Sequence, residues 1–485
     1  MAESLRGLGY STPTALADII DNSISAGANR IDIRFEWNDG APWIHILDDG
    51  RGMNDAELEN AMQLGAKNPL EERSADDLGR FGLGLKTASF SQGRRLTVAS
   101  RSEGFEQACL RWDLDLLSRP GDDGWHLYEG PDPASEDRLA PLSMMPHGTL
   151  VLWENLDRIM GRDFSVQNYL DLQDEVERHL AMTFHRLIDD GLEIRLNNVA
   201  IDGWDPFMTG HPAKAWDSGE IRLGDHGEVR VQCHVLPHKD MLKPKEIDLA
   251  GGPGGWTMQQ GFYIYRNRRL LVAGGWMGLE QGGRALTRDE PHRLARIRLD
   301  IPNWADAEWK IDIRKSSARA PVRFRKQLLT LAQETREKAR KVFAHRGQWS
   351  PSSAAKPVDE AWLAEKSRGA TRYRISRDHE VIKSLLERAG PLKKDFLAAL
   401  RIIEETVPVQ RIWLDTAEDQ ETPRNGLADA PKPEILDLMN IAYTNLVEQR
   451  RLPPDEAKAR LLLTAPFDRF PELVAKLPVV DREKI

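Results

Sequence analysis

Residues 79–91 read GRFGLGLKTASFS, with glycines at 79, 82 and 84 running into the start of a helix and Lys86 just inside it. Glycine lets a backbone approach a ligand closely and adopt conformations that other residues avoid. A helix start adds unpaired N–H groups and the positive end of a dipole, so the run predicts a phosphate cradle. Its spacing matches neither familiar phosphate loop. Leu85 separates the last glycine from the lysine, and G-x-x-G-x-G reverses the dinucleotide fingerprint. In isolation an ordinary glycine-rich loop explains it better, so the residues upstream decide.

Thr12-Pro13 reads as a helix N-cap followed by proline in the first turn. The helix continues through TALADIIDNSISAG and stops near Gly27, with Leu16, Ile19, Ile20, Ser23 and Ile24 on its buried side. Asp18 and Asn22 lie four apart and so share a face. An acid and an amide stacked this way can hold a water and a metal ion; a solvated polar face is the plainer alternative. ANRIDIRFEW alternates as a half-buried strand, and PWIHIL follows as a second, ending in Asp48-Asp49-Gly50-Arg51-Gly52-Met53. A carboxylate at a strand end can accept from an exocyclic amine, and the glycines leave room for a flat base; a simple turn is the alternative. A helix, NDAELENAMQLG, and a polar stretch with the composition of a lid, AKNPLEERSADDL, lead into the glycine run.

Together, N-x-x-x-A-G, D-D-G-x-G-M and G-x-x-G-x-G-x-K in this order resemble the GHKL ATPase superfamily of gyrase, heat-shock chaperones, histidine kinases and MutL. The wording is most similar to MutL and to the Microrchidia (MORC) ATPases with their bacterial relatives. HGTLVLWENLDR (147–158) looks like the fourth motif, with Thr149 at the base of a strand. The resemblance is strong over residues 5–160 and looser to about 345. It implies an α+β chain: a two-layer Bergerat-type ATPase domain (1–200), a transducer-like domain (201–346) and a mainly helical C-terminal interaction region (347–485).

It also implies site residues. Asn22 would coordinate Mg²⁺. Asp48 would accept from the adenine amine, with Gly50, Gly52, Met53 and Thr149 around the base. Gly79, Gly82, Leu83, Gly84, Leu85 and Lys86 would cradle the phosphates of ATP as the lid closes. The family's general base is a Glu four residues before the Asn; here that position is Asp18. Aspartate is shorter by one C–C bond, about 1.5 Å, while water activation needs hydrogen-bond reach. Asp21 is a poor substitute, because helix geometry turns it about 100° away from Asn22. LEIRLNNVAI and WKIDIR read as strands, and Lys315, at the end of the latter, looks equivalent to the lysine that the family's second domain sends to the γ-phosphate.

Net charge is −9, yet residues 261–350 carry 20 Lys+Arg against 9 Asp+Glu, a local +11. A basic segment in an acidic chain suggests a localised polyanion surface. Residues 319–346 read as a basic helix whose Arg323, Arg325, Lys326, Arg336, Lys338, Arg340 and Lys341 can face a phosphate backbone; a solvated helix face is the alternative. No sequence-reading motif is apparent, so duplex DNA would be bound with little sequence specificity. Cys109 and Cys233 are far apart, which argues against disulfides and a Cys-based zinc site and fits a reducing cytoplasm. Cys233-His234 with His238 reads as structural. No apolar run reaches the length of a membrane span, and MAESLRGLGY lacks a signal-peptide core.

The C-terminal third shows helical patterns, among them VDEAWLAEKS, HEVIKSLLERAG and KKDFLAALRIIEETV, and no catalytic constellation. The expectation is an Mg²⁺-dependent ATP-binding and ATP-hydrolysing protein that dimerises or closes on ATP and acts on DNA as a clamp or motor; similar bacterial proteins accompany restriction and phage-defence systems and their partner proteins. The alternative is a non-hydrolysing ATP-dependent switch that scaffolds partner proteins.

Overall fold

Helix α1 (Thr12–Ser25) is where the site begins. The computed structural model describes residues 6–63, 84–117, 126–161, 164–306, 308–312, 317–344, 360–367, 370–412, 432–464 and 467–478. Ser11, not Thr12, holds the N-cap position, with no side-chain capping bond. The Thr12 hydroxyl donates instead to Gln92 Oε1 at 2.7 Å. The helix ends before Gly27, whose φ of +79° is the left-handed stop expected of a glycine.

Strands β1 (Arg30–Glu36) and β2 (Trp43–Asp48) pair antiparallel, and β2 continues onto β6 (Gly148–Glu154). With β3 (Arg95–Arg101), β4 (Ala108–Asp113), β5 (Tyr128–Glu129), β7 (Glu193–Leu196) and β8 (Val199–Ala200) they form an eight-stranded sheet in the order β5-β4-β3-β6-β2-β1-β7-β8. The segment expected as one strand, LEIRLNNVAI, is a hairpin. Asn197 and Asn198 have φ of 48° and 69°, the left-handed pair of a tight hairpin turn.

Alternation in β1 sends Ile31, Ile33 and Phe35 to one face, where they meet Leu16, Ile19 and Ile20 of α1 and Val176, Leu180 and Phe184 of α5 (Val166–Asp189). Each such side chain, fully buried, stabilises the fold by about 1.5–3 kcal/mol. The opposite face holds a smaller cluster: Leu47, Leu150 and Leu152 under Leu139 and Leu142 of a helix over Glu136–Ser143.

A second sheet follows, in the order β10 (Ile221–Leu223), β11 (Val229–Val235), β16 (Ala295–Asp300), β12 (Gly261–Arg266), β13 (Arg269–Ala273), with β9 (Trp216–Asp217) also on β11. A small separate hairpin, β14 (Glu280–Gln281) and β15 (Arg284–Ala285), lies between. Strand β12 is apolar on both faces. Phe262 and Ile264 point to the cluster under the basic helix (Val322–Ala344), whereas Tyr263 and Tyr265 join the cluster containing α5. His185 of α5 bonds the Tyr265 hydroxyl at 2.8 Å and Arg186 reaches Asp300 at 2.5 Å. The two sheets therefore share one core. The expected strand WKIDIR is absent among the described residues: 308–312 form a turn and irregular backbone, with Lys310 at φ 49° and Trp309 stacked on Phe324.

The chain divides into units Met1–Ser353 and Ala354–Ile485. The second unit is not purely helical. VDEAWLAEKS, expected as helix, contributes the strand Trp362–Ser367, paired antiparallel with Ala370–Ile375. Alternation in the partner, RYRI, decides that pairing. Helices over Glu380–Arg388, Lys393–Glu405, Lys432–Thr444 and Pro454–Leu461 follow. The architecture is α+β. Among the described residues no helix is long and apolar enough to cross a membrane.

Candidate nucleotide site

The C-terminal end of β2 and the C-terminal half of α1 converge on Asp48. Its carboxylate is 5% exposed. Ser23 Oγ donates to Oδ2 at 2.7 Å and the Gly50 amide to Oδ1 at 2.9 Å. Burial pushes the Asp48 carboxyl above its ordinary value; the donors Ser23, Gly50 and Thr149 pull it partly back.

The two glycines after Asp48 are there for close packing. A Cβ on Gly50 would stand 2.9 Å from both Ala26 Cβ and Asp48 Oδ1. One on Gly52, whose φ is +67°, would come within 1.8 Å of the Arg101 carbonyl oxygen. Thr149 is Asp48's cross-strand partner. Its hydroxyl lies 2.9 Å from Ser100 Oγ, which accepts the Met53 amide at 2.8 Å. Asp48, Gly50, Gly52, Met53 and Thr149 are thus brought together, though they come from segments a hundred residues apart. Ser23, Ser100 and His147, which donates from Nδ1 to the Gly50 carbonyl at 2.8 Å, were not foreseen.

On α1, Asn22 is exposed while Asp18, one turn earlier, is 7% exposed. Tyr10 donates its hydroxyl to Asp18 Oδ2 at 3.0 Å. Burial, then the charge of Asp18, pushes the Tyr10 hydroxyl well above the usual phenol range, so it remains a neutral donor at physiological pH. Asp312 adds to that shift. Asp21 is turned away from Asn22 as helix geometry requires, and is buried against Arg269 of β13.

Lys86 sits inside the helix Gly84–Phe90, beside Leu85, and is 1% exposed. Its ammonium donates to the carbonyls of Ala61 at 2.9 Å and Gln63 at 2.6 Å, closing the C-terminal end of the helix Asp55–Met62. Gly79, Gly82, Leu83, Lys315 and the polar stretch 66–78 lie outside the described residues.

Residues 10–149 match the family described as histidine kinase-, DNA gyrase B-, and HSP90-like ATPase. This segment is of the GHKL ATPase type. The chain is 36% identical over 104 residues to the DNA mismatch repair protein MutL of Rhodospirillum rubrum, covering 21% of this chain and 16% of that protein. It is 33% identical over 111 residues to protein MICRORCHIDIA 4 of Arabidopsis thaliana, covering 21% and 13%. With the mouse ATPase MORC2B the figures are 34% over 121 residues, 24% and 11%. The chain thus spans under a fifth of the length of each of these relatives.

The GHKL-type domain's donors suit ATP with Mg²⁺. A buried carboxylate followed by Gly50 and Gly52 fits a flat base bearing an amine, and an exposed amide oxygen is a hard donor of the kind Mg²⁺ takes alongside phosphates and waters. Among the described residues no cluster of His, Cys, Asp or Glu competes for a metal. His234 bonds Asp217 at 2.5 Å beside Lys214, and Cys233 is buried in β11.

The basic helix presents a mixed face. Arg325, Lys326, Arg340 and Lys341 are exposed. Arg323 is exposed but paired with Glu308 and Glu228 at 2.6 Å and 3.0 Å. Arg336 departs from the expectation of an open face: it bonds Asp289 at 3.0 Å, lies over the Trp276 ring at 4.9 Å and is largely covered. Lys338 stands over Trp216.

Proposed function

We propose that the protein binds ATP with Mg²⁺, hydrolyses it with Asp18 as general base, and uses the ATP cycle to close on duplex DNA as a homodimeric clamp or motor. The observation that supports this best is on α1: a buried carboxylate held by Tyr10 stands one turn before the exposed amide of Asn22. Bound Mg²⁺ would neutralise and orient the phosphates. Asn22 supplies its protein oxygen, and Asp48 fixes the adenine end through its carboxylate. Asp18, oriented by Tyr10, takes the proton of the attacking water. Lys86 and Lys315 are assigned to the phosphates, Lys86 leaving the carbonyls of Ala61 and Gln63 to reach them. Arg325, Lys326 and Arg340 are assigned to the DNA backbone, whose charge makes such binding salt-sensitive and weakly specific. A place in restriction or phage defence, with partner proteins of such a system, follows the resemblance to bacterial relatives.

ATP turnover with and without duplex DNA, combined with sedimentation in a non-hydrolysable analogue, tests the reading. DNA-stimulated turnover and analogue-induced dimers support it. A second reading, an ATP-dependent switch without hydrolysis that scaffolds partners, draws on the short reach of Asp18 and its engagement by Tyr10; it predicts dimerisation without turnover.

A further inference from the structure

Arg269 opens β13 directly after the tight turn Asn267–Arg268, whose residues have φ of 47° and 68°. Its guanidinium, 3% exposed, is inserted between two carboxylates of α1. Nε lies 3.0 Å and 3.1 Å from the two oxygens of Asp21, itself 1% exposed. Nη1 donates to the Leu270 carbonyl at 2.8 Å, and Nη2 stands 3.9 Å from Asp18 Oδ1. Phe184 of α5 packs beneath the group, 5.8 Å to the ring centroid.

A guanidinium is a rigid fork with a fixed charge, so seating one edge on Asp21 determines where its other edge stands. Asp18 is consequently approached from both sides. Oδ2 takes the Tyr10 hydroxyl from the segment before α1, and Oδ1 faces a cation from the second sheet. That cation is carried by β13, the edge strand next to β12. Any movement of this sheet against α1 changes the surroundings of Asp18.

We infer that Arg269 is a positioning residue for hydrolysis: clamped on Asp21, it holds Asp18 oriented and ties its geometry to the placement of the second sheet. The inference rests on reading Asp18 as the base. Arg269 itself touches no reacting atom.

Steady-state ATP turnover of the full chain, with the Kd of a non-hydrolysable ATP analogue, tests this in R269Q, R269K, D21N and D18N. R269Q is expected to lower kcat at least tenfold while KM and the analogue Kd stay within threefold. R269K, which keeps the cation, recovers part of kcat. D21N, which keeps Arg269 but removes its anchor, gives the same split and stands in if R269Q does not fold. Loss of turnover in D18N together with unchanged kcat in R269Q or D21N overturns the inference alone. Equal loss of kcat and nucleotide binding overturns it too, marking Arg269 as a staple of the fold. Wild-type turnover in D18N overturns the base assignment and, with it, this inference.

Discussion

The Ser23 hydroxyl donates to the Asp48 carboxylate across 2.7 Å, tying the residue after Asn22 on α1 to the end of β2. The proposed metal-side and base-side ends of the candidate nucleotide site are thereby tied to one helix. A charge-assisted bond of this kind is worth about 1.5–3 kcal/mol. Ser23→Ala is expected to weaken nucleotide binding about tenfold, measured by calorimetry with ADP, and to do so without loss of Asn22.

The raised carboxyl of Asp48 gives a pH signature. As an acceptor from an adenine amine it must be ionised. Nucleotide affinity is therefore expected to fall on acidification at a higher pH than an ordinary aspartate would give. The stability contribution has the opposite sense. Because the folded carboxyl is raised, its contribution is fully present below the unfolded value and is lost as pH rises through the folded one. Isotherms and melts between pH 4 and pH 7, for wild type and Asp48→Asn, check both signs; the wild-type minus Asp48→Asn difference is expected to carry both trends.

Gly52 has no room for a side chain. Its φ of +67° and the 1.8 Å approach of a Cβ to the Arg101 carbonyl combine backbone strain with overpacking. Gly52→Ala is expected to destabilise the domain by about 3 kcal/mol or more, read as a lower urea midpoint with no nucleotide present.

Lys86 offers a sharper test of the glycine run. Its ammonium satisfies two carbonyls at the end of the helix Asp55–Met62. Lys86→Met leaves them without it, at a cost of about 1–3 kcal/mol in the nucleotide-free protein. If the lysine served phosphates alone, the melting temperature without nucleotide would not move.

Much of the site was legible because it is local. The Asp18–Asn22 spacing follows from helical period, and Asp48 ends a strand whose alternation is plain. What escaped was set by distant chain. Arg269 and Asp21 are 248 residues apart, and no periodicity links them. The turn asparagines Asn197 and Asn198 split one expected strand in two, a signal present in the sequence but masked by the apolar residues around it. The stretch around Trp362 has helical spacing, yet it pairs with a partner strand, where hydrogen bonding across the hairpin outweighs local preference.

The basic helix predicts a division of labour. Reversing charge at Arg325, Lys326 and Arg340, all exposed, is expected to reduce DNA retention and its salt dependence while leaving the melting temperature within about 2 °C, since surface changes cost little. Arg336→Glu, by contrast, should lower the melting temperature, because Arg336 is packed on Trp276 and bonded to Asp289. Filter retention on duplex DNA and a thermal melt of each variant separate the two.

The proposed function stands on Asp18, one turn before Asn22, acting as the base for ATP hydrolysis. Single-turnover hydrolysis by wild type and Asp18→Asn, with analogue affinity measured in parallel, addresses it most directly. Asp18→Asn is expected to bind the analogue normally and to hydrolyse at least a hundredfold more slowly. Equal hydrolysis by the two proteins would remove Asp18 as the base.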